Sequence, residues 1–106
     1  MFSRHVIVRL KAKTAPEFTR LVEKEVIPML RKQKGFLDIV TCISPDLTEA
    51  VSNSFWDTKA DAEAYSRTGY PEVMKSLETV VDGTPTVGTA NVSNSTFHKI
   101  AAAHAA

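Results

Sequence analysis

A chain of 106 residues with 13 basic and 12 acidic side chains, for a formal net charge of +1, lacks the basic excess with which a protein binds nucleic acid. Its single cysteine, Cys42, excludes an intrachain disulfide framework, and the sequence has no Cys/His cluster that would indicate a structural metal. No apolar run is long enough to cross a bilayer and the first residues do not resemble a signal peptide, so we expect a cytoplasmic protein without a membrane partner. The length predicts a single domain over residues 1–100, followed by a flexible tail over residues 101–106.

The first third of the chain predicts a strand followed by a helix. Alternation of apolar and polar residues over Ser3–Lys11 is typical of a strand. Thr14, with Glu17 three residues later, predicts the N-cap of a helix that carries Pro16 in its first turn. Pro28 lies inside the helical pattern and predicts a kink or a tightened final turn. The apolar stripe of this helix consists of Phe18, Leu21, Val22, Val26, Met29 and Leu30.

The middle of the chain predicts a β-hairpin. Strands over Phe36–Ile43 and Glu49–Trp56 flank a turn that contains Pro45 and Asp46. In the first strand, alternation places Leu37, Ile39, Thr41 and Ile43 opposite Phe36, Asp38, Val40 and Cys42. In the second strand, it places Ala50, Ser52, Ser54 and Trp56 opposite Val51, Asn53 and Phe55. The pattern leaves open which side of the second strand faces the helices.

The last part of the chain predicts a second helix and a fourth strand. Thr58 repeats the capping pattern and opens the helix, which Gly69 interrupts and which then continues to Val81. The segment Asp82–Pro85 predicts the end of that helix. The remainder, Thr86–Ile100, is rich in β-branched and small residues and predicts a long final strand.

The predicted order β-α-β-β-α-β indicates a ferredoxin-like α+β fold, in which a four-stranded antiparallel sheet carries both helices on one face. Helices on one side leave the other sheet face uncovered, and that face carries valine and isoleucine side chains. Large apolar patches on small proteins usually mark interfaces. We therefore expect a homodimer that packs sheet against sheet.

This layout, the Lys34-Gly35-Phe36 turn into the second strand and the Phe55-Trp56-Asp57-Thr58 junction together resemble the antibiotic biosynthesis monooxygenase family. The resemblance spans most of the chain, from about Phe2 to Ile100. It implies a small dimeric α+β barrel. The family includes cofactor-independent oxygenases of aromatic polyketides, haem-degrading monooxygenases and members with no assigned reaction.

The resemblance implies cofactor-independent oxidation of a small aromatic or quinol compound, without a metal or flavin. A deprotonated ring of this kind passes an electron to dioxygen, so the protein must hold the ring, stabilise an oxyanion and exclude water. Trp56 is the candidate ring wall and indole donor, in a pocket of roughly a few hundred Å³ that it shares with at least one tyrosine. The remaining candidates are Asn53 and Tyr65 in catalysis and Tyr70, His5, His98 and Arg9 in substrate binding, with Arg4 and Arg9 as contacts for an anionic substrate.

Each candidate also has a structural interpretation. Trp56 is equally well explained as a residue that fills the core. Asn53 is explained as an amide that is solvated or hydrogen-bonded within the fold. A lone strand histidine is more often a surface or interface residue, and amphipathic tyrosines also cap cores with the hydroxyl in water. Asp38 lies in an otherwise apolar strand. Its preferred interpretation is an ion pair at the interface, and the alternative is a catalytic base with a raised pKa.

Two other functions compete with the oxygenase. The same barrel without chemistry would be a dimeric module that binds a small ligand or regulates a partner. Haem binding or degradation is disfavoured, because many relatives carry a helical histidine about nine residues after the strand-end tryptophan. This chain has Tyr65 at that position and no histidine from Thr58 through Leu77.

Overall fold

The chain folds into a four-stranded antiparallel sheet with its helices packed on one face, in a computed structural model that describes residues 1–96. In chain order the elements are β1 (Phe2–Leu10), α1 (Ala15–Leu21), a π-helical segment (Val22–Val26), α2 (Ile27–Arg31), β2 (Phe36–Ile43), β3 (Glu49–Trp56), α3 (Lys59–Thr68), α4 (Tyr70–Leu77) and β4 (Val81–Asn91). The strand order across the sheet is β2-β3-β1-β4, and each neighbouring pair is antiparallel. This topology confirms the predicted ferredoxin-like α+β fold.

The two central strands show which sheet face lies against the helices. On β1, Arg4 and Val8 are buried, and they pair with Ser54 and Ala50 of β3, which are buried too. Trp56 belongs to the same alternating set, so it faces the helices. The odd-numbered residues of both strands lie on the opposite face, which no helix covers within the described part of the chain.

The second strand begins with a β-bulge. Phe36 pairs with Trp56 and Asp38 pairs with Phe55, so that Leu37 is the extra residue. The bulge shifts the alternation by one residue and brings the Phe36 ring to 5.5 Å from the Trp56 ring, measured between centroids. The strict alternation predicted for this strand, with Phe36 and Asp38 on the same side, was wrong.

Pro28 widens the first helix rather than tightening it. The π-helical segment separates α1 from α2, and the Ile27 N–H donates to the Val22 carbonyl five residues earlier. Pro28 has no N–H to donate and its ring crowds the carbonyl of Lys24, and a wider turn relieves both problems. In a regular α-helix, positions four apart drift by about 40° around the axis. The wider turn offsets this drift, so four residues at that spacing are all buried against the sheet: Phe18, Val22, Val26 and Leu30.

The two predicted N-caps have different outcomes. Thr58 caps α3, since its Oγ1 accepts a hydrogen bond from the Asp61 N–H at 3.1 Å. Helix α1 begins directly after Thr14, but the Thr14 hydroxyl donates to the Lys11 carbonyl at 2.6 Å and accepts nothing from the helix. The capping box predicted at Thr14 was wrong, because the preceding turn uses its hydroxyl.

The final strand begins earlier than predicted. β4 starts at Val81, so the predicted turn Asp82–Pro85 lies within it. β4 is an edge strand, and its register against β1 shifts between Ile7 and Arg9, which accommodates both Gly83 at a φ of 76° and a proline. β4 ends at residue 91, short of the predicted residue 100. Residues 97–100 and the predicted tail lie outside the described residues.

The hydrophobic core lies between the sheet and the helices. Its largest fully buried side chains are Trp56, Phe18, Leu30 and Val80. Among residues 1–96, the buried polar or charged residues are Arg4 and Ser54, which are 4% and 5% exposed. No helix in that range has the length and apolar content needed to cross a membrane.

Candidate functional site

A small cavity lies between the sheet and the helices. Its volume is about 50 Å³, enough for roughly three or four water molecules. It is smaller than the few hundred Å³ expected from the sequence, because aromatic side chains fill the layer where a larger pocket was predicted. The lining residues are Arg4, Val6, Val8, Phe18, Val22, Val26, Leu30, Ile39, Ser52, Ser54, Tyr65, Tyr70, Val73, Met74 and Leu77.

Trp56 lies behind this cavity and is not one of its lining residues. Its side chain is fully buried, stacked on Tyr65 with ring centroids 5.0 Å apart. The indole N–H donates to the Ser54 hydroxyl oxygen at 2.9 Å, and that hydroxyl in turn donates to the Arg4 carbonyl at 3.2 Å. The indole N–H is therefore already paired with Ser54 of β3.

The charged group of the cavity is the Arg4 guanidinium. Arg4 is only 4% exposed, and its Cζ lies 4.0 Å from the centroid of the Tyr70 ring and 5.5 Å from that of Tyr65. These are cation–π distances. Within residues 1–96, Arg4 forms no ion pair, and its guanidinium donates no hydrogen bond. The cavity therefore contains a buried cation whose contacts are aromatic faces.

Two tyrosines surround this cation from the helical side. The rings of Tyr65 on α3 and Tyr70 on α4 meet edge to face, with centroids 6.3 Å apart. Gly69 joins the two helices, and a Cβ at that position would lie 2.8 Å from the Tyr65 ring. The absence of a side chain at Gly69 therefore lets the Tyr65 ring lie against the helix junction. Neither tyrosine hydroxyl has a hydrogen-bond partner among the described residues.

Burial controls the protonation of Tyr65. Desolvation raises the pKa of its phenol from 10.0 to about 12, and the positive charge of Arg4 opposes that rise. Tyr65 is therefore a neutral hydrogen-bond donor at physiological pH. It is not a base.

The structure brings together only part of the predicted site. Tyr65 and Tyr70 line the cavity, with Trp56 stacked behind them. Asn53 and His5 are register partners on the opposite, uncovered sheet face. The ring of His5 lies over Gly88 of β4, where any Cβ would collide with it.

The two arginines of β1 lie on opposite faces of the sheet. Arg9 is exposed, with Glu49 and Asp82 as its register partners, whereas Arg4 lines the cavity. The alternation of β1 already contained this signal, since it groups Arg4 with the apolar residues of the helix-facing side. His98 lies outside the described residues.

The described lining of the cavity is poor in the usual metal ligands. Its described lining contains no histidine, cysteine or carboxylate. The described residues also include no group of three or more His, Cys, Asp or Glu side chains placed to hold a metal ion. Its polar groups are hydrogen-bond donors and hydroxyls, suited to binding an anion.

Replacing Tyr65 with phenylalanine is expected to remove a pH-dependent part of the free energy of unfolding. Because the pKa is raised in the folded state, the folded protein keeps the phenol proton where the unfolded chain loses it. The resulting stabilisation is complete below pH 10 and is lost as the pH rises through about 12. Urea unfolding should show the advantage of the wild type over Tyr65→Phe shrinking by about 1.4 kcal/mol per pH unit in this window. A difference that stays constant with pH would contradict the assignment.

The sheet order and the single helix layer are shared with solved structures that are named as antibiotic biosynthesis monooxygenases. The structure named "Putative antibiotic biosynthesis monooxygenase from Nitrosomonas europaea" matches with a TM-score of 0.72 at 17% identity, covering 89% of this chain and 100% of that one. A monooxygenase from the gene ActVA-Orf6 of Streptomyces coelicolor, solved in complex with Nanaomycin D, matches with a TM-score of 0.74 at 18% identity, covering 89% and 88% of the two chains.

A third similar structure is SnoaB, a cofactor-independent oxygenase from Streptomyces nogalater. Its TM-score is 0.71 at 13% identity, and the match covers 92% of this chain and 97% of SnoaB. No family model matches the sequence, and no curated protein matches it. At these identities the similarity shows the fold, and at that level it confirms the family resemblance seen in the sequence.

Proposed function

We propose that the protein is a small oxygenase that oxidises a phenol or quinol with dioxygen, without a metal or flavin. The observation that carries this proposal is the apolar cavity between sheet and helices, lined by two tyrosines whose hydroxyls are unpaired within the described chain. Apolar walls exclude water, and neutral phenols donate to an oxyanion without competing for its proton. SnoaB, which has a similar fold, is named as a cofactor-independent oxygenase, and this supports the proposal.

The reaction balances without an external reductant. An ionised phenol passes one electron to dioxygen, and the resulting radical pair combines to form a ring-carbon peroxide. Cleavage of the O–O bond leaves one oxygen atom on the ring as a quinone carbonyl, and the other departs as water. One hydrogen of that water comes from the ring C–H and the other comes from solvent, which has already received the phenol proton, and the ring supplies all four electrons.

In this reaction the two tyrosines bind and stabilise the substrate oxygen. Tyr65 stays protonated because of its raised pKa, so it donates a hydrogen bond to the substrate oxygen as charge accumulates there. Tyr70 is half-buried and provides a second phenol and a ring face. The described cavity lining contains no general base, so the substrate enters already ionised and leaves its proton in solvent.

Oxygen uptake tests this proposal. The protein should consume dioxygen with saturable kinetics on part of a panel of phenols and hydroquinones, and ¹⁸O₂ should place one labelled atom in the quinone product. Tyr65→Phe should lower kcat by about 100- to 1,000-fold, as expected for the loss of one oxyanion donor. Arg9→Met, on the other sheet face, is the matched control and should leave kcat unchanged. Uptake no faster than in buffer across the whole panel would reject the oxygenase.

A binding module without catalysis is the second candidate. It is favoured by the cavity lining, which includes no histidine or carboxylate among the described residues. In that case phenols would bind saturably and be recovered unchanged under air. Product analysis after prolonged incubation separates the two functions.

We also propose that two copies of the chain pack through their uncovered sheet faces. This face contains apolar residues on three strands: Ile7, Val40, Val51 and Phe55. Val40, on the edge strand β2, is 38% exposed, and exposed apolar side chains on an uncovered sheet face are typical of an interface. Light scattering should give twice the 11.6 kDa chain mass, and a single 11.6 kDa species at micromolar concentration would reject the dimer. The cytoplasmic location expected from the sequence stays a prediction.

A further inference from the structure

We infer that the cavity recognises a negatively charged oxygen, a carboxylate or a phenolate, and that Arg4 is the residue that selects it. That the ligand carries an oxidisable ring rests on the proposed function. The preference for an anion follows from Arg4 itself. Trp56, which the sequence placed at the centre of the site, has no part in this selection.

Arg4 is almost fully buried and lacks an ionic partner among residues 1–96, although its guanidinium nitrogens keep some accessible surface, because no described side-chain N or O atom is both fully buried and without a hydrogen bond. A guanidinium stays charged in proteins, and moving it out of water is costly unless it is paired and hydrogen-bonded. The attraction of two tyrosine faces is smaller than that cost. The groups facing Arg4 from α3 and α4 are Tyr65 and Tyr70, which are aromatic phenols rather than carboxylates. An anionic ligand would supply the missing counter-charge.

The size of the cavity fits the charged end of such a ligand. A volume of about 50 Å³ holds a planar oxyanion of roughly four heavy atoms, such as acetate or nitrate, in place of three or four water molecules. The attached ring needs more room, which must come from Tyr70 and Met74. Both are half-buried residues of α4, whereas the opposite wall is made of buried core side chains. The anionic end therefore lies at Arg4 and the ring extends toward α4.

The chemistry of the other polar groups agrees with this orientation. The Ser54 hydroxyl is fully used by the Trp56 indole and the Arg4 carbonyl, and the Ser52 hydroxyl lies 3.0 Å from that of Thr41. The guanidinium and the tyrosine hydroxyls remain as donors for a ligand. A neutral ligand of the same shape would fill the cavity but leave Arg4 uncompensated.

Equilibrium binding of charged and neutral isosteres tests the inference without any turnover. Benzoate and benzamide have nearly the same shape, and neither is a substrate for the proposed oxidation. For the full chain under anaerobic conditions, calorimetry should show benzoate binding at least about tenfold more tightly than benzamide, as expected for a charge-assisted contact. Acetate and nitrate should compete with benzoate.

Variants at the two β1 arginines give the matched comparison. Arg4→Met should reduce the benzoate-to-benzamide ratio to about one, and Arg4→Lys should restore part of it. Arg9→Met removes an equal charge from the opposite sheet face and should leave the ratio unchanged. If Arg4→Met does not fold, the guanidinium resonances of wild-type Arg4 should shift with benzoate and stay fixed with benzamide.

Three results would overturn the inference: equal affinity for the two isosteres, an unchanged ratio in Arg4→Met, or loss of discrimination in Arg9→Met. They are distinguishable from failure of the proposed function. A protein that discriminates benzoate from benzamide but consumes no oxygen supports anion recognition and rejects the oxygenase. A protein that oxidises phenols but binds benzoate and benzamide equally supports the oxygenase and rejects anion recognition by Arg4.

Discussion

Replacing Trp56 with alanine is expected to lower the free energy of unfolding by about 3–5 kcal/mol, the range for large aromatic residues in well-packed cores. The side chain is fully buried, stacked on Tyr65 at 5.0 Å and in edge contact with Phe36 at 5.5 Å. Because it bridges α3 and the start of β2, alanine would leave a cavity that neither element can close alone. A domain of this size has only about 5–15 kcal/mol of stability, so the variant would lie close to unfolding.

Two milder variants separate the packing of Trp56 from a role in the site. Trp56→Phe keeps one aromatic ring but loses the indole N–H and the volume of the second ring, so its urea midpoint should fall less than that of Trp56→Ala. Ser54→Ala keeps the indole but removes its acceptor, which costs about 1–3 kcal/mol for a buried unsatisfied donor. Trp56→Phe should bind benzoate as the wild type does, because Trp56 does not line the cavity. If Trp56→Phe were as stable as the wild type but bound ligand much more weakly, Trp56 would be a site residue after all.

The fold could be predicted from the sequence because its determinants are local. The hydrophobic alternation of β1 and β3, the Thr58 cap and the prolines in early helical turns each act over a few residues, and they agree with one another. The errors occur where tertiary contacts override a local signal. Gly83 and Pro85 signal a turn, but an edge strand with a register shift against β1 accommodates both.

The site was less predictable because residue type says little about which sheet face a side chain occupies. Asn53 and Trp56 are three positions apart on β3, so the period of two necessarily separates them onto opposite faces. Arg4 and Arg9 are separated for the same reason, being five positions apart. What the sequence could not supply is the packing of α3 and α4, which places two tyrosine faces over Arg4.

The second large effect is expected at Arg4, where methionine should raise the free energy of unfolding rather than lower it. Replacing a buried ion pair with apolar residues of similar volume is often neutral or stabilising by about 1–4 kcal/mol, and removing a buried cation that has no ionic partner leaves no unpaired charge behind. The Arg4 guanidinium has aromatic contacts but no carboxylate within the described chain, so the stabilising end of that range applies. Methionine also keeps favourable contacts between sulfur and the tyrosine rings.

Urea unfolding of Arg4→Met and Arg9→Met compares the same loss of charge at buried and exposed positions. At protein concentrations low enough for the chain to be monomeric, the sheet face that carries Arg9 is open to solvent. Under these conditions Arg9→Met should change the free energy of unfolding by less than about 0.5 kcal/mol, as is usual for surface positions. If Arg4→Met instead lowered the free energy of unfolding by more than about 2 kcal/mol, the guanidinium would be shown to stabilise the folded protein. A gain in stability together with loss of benzoate binding would mean that the protein keeps a destabilising charge in its core for the sake of its ligand, the trade-off expected of a functional site.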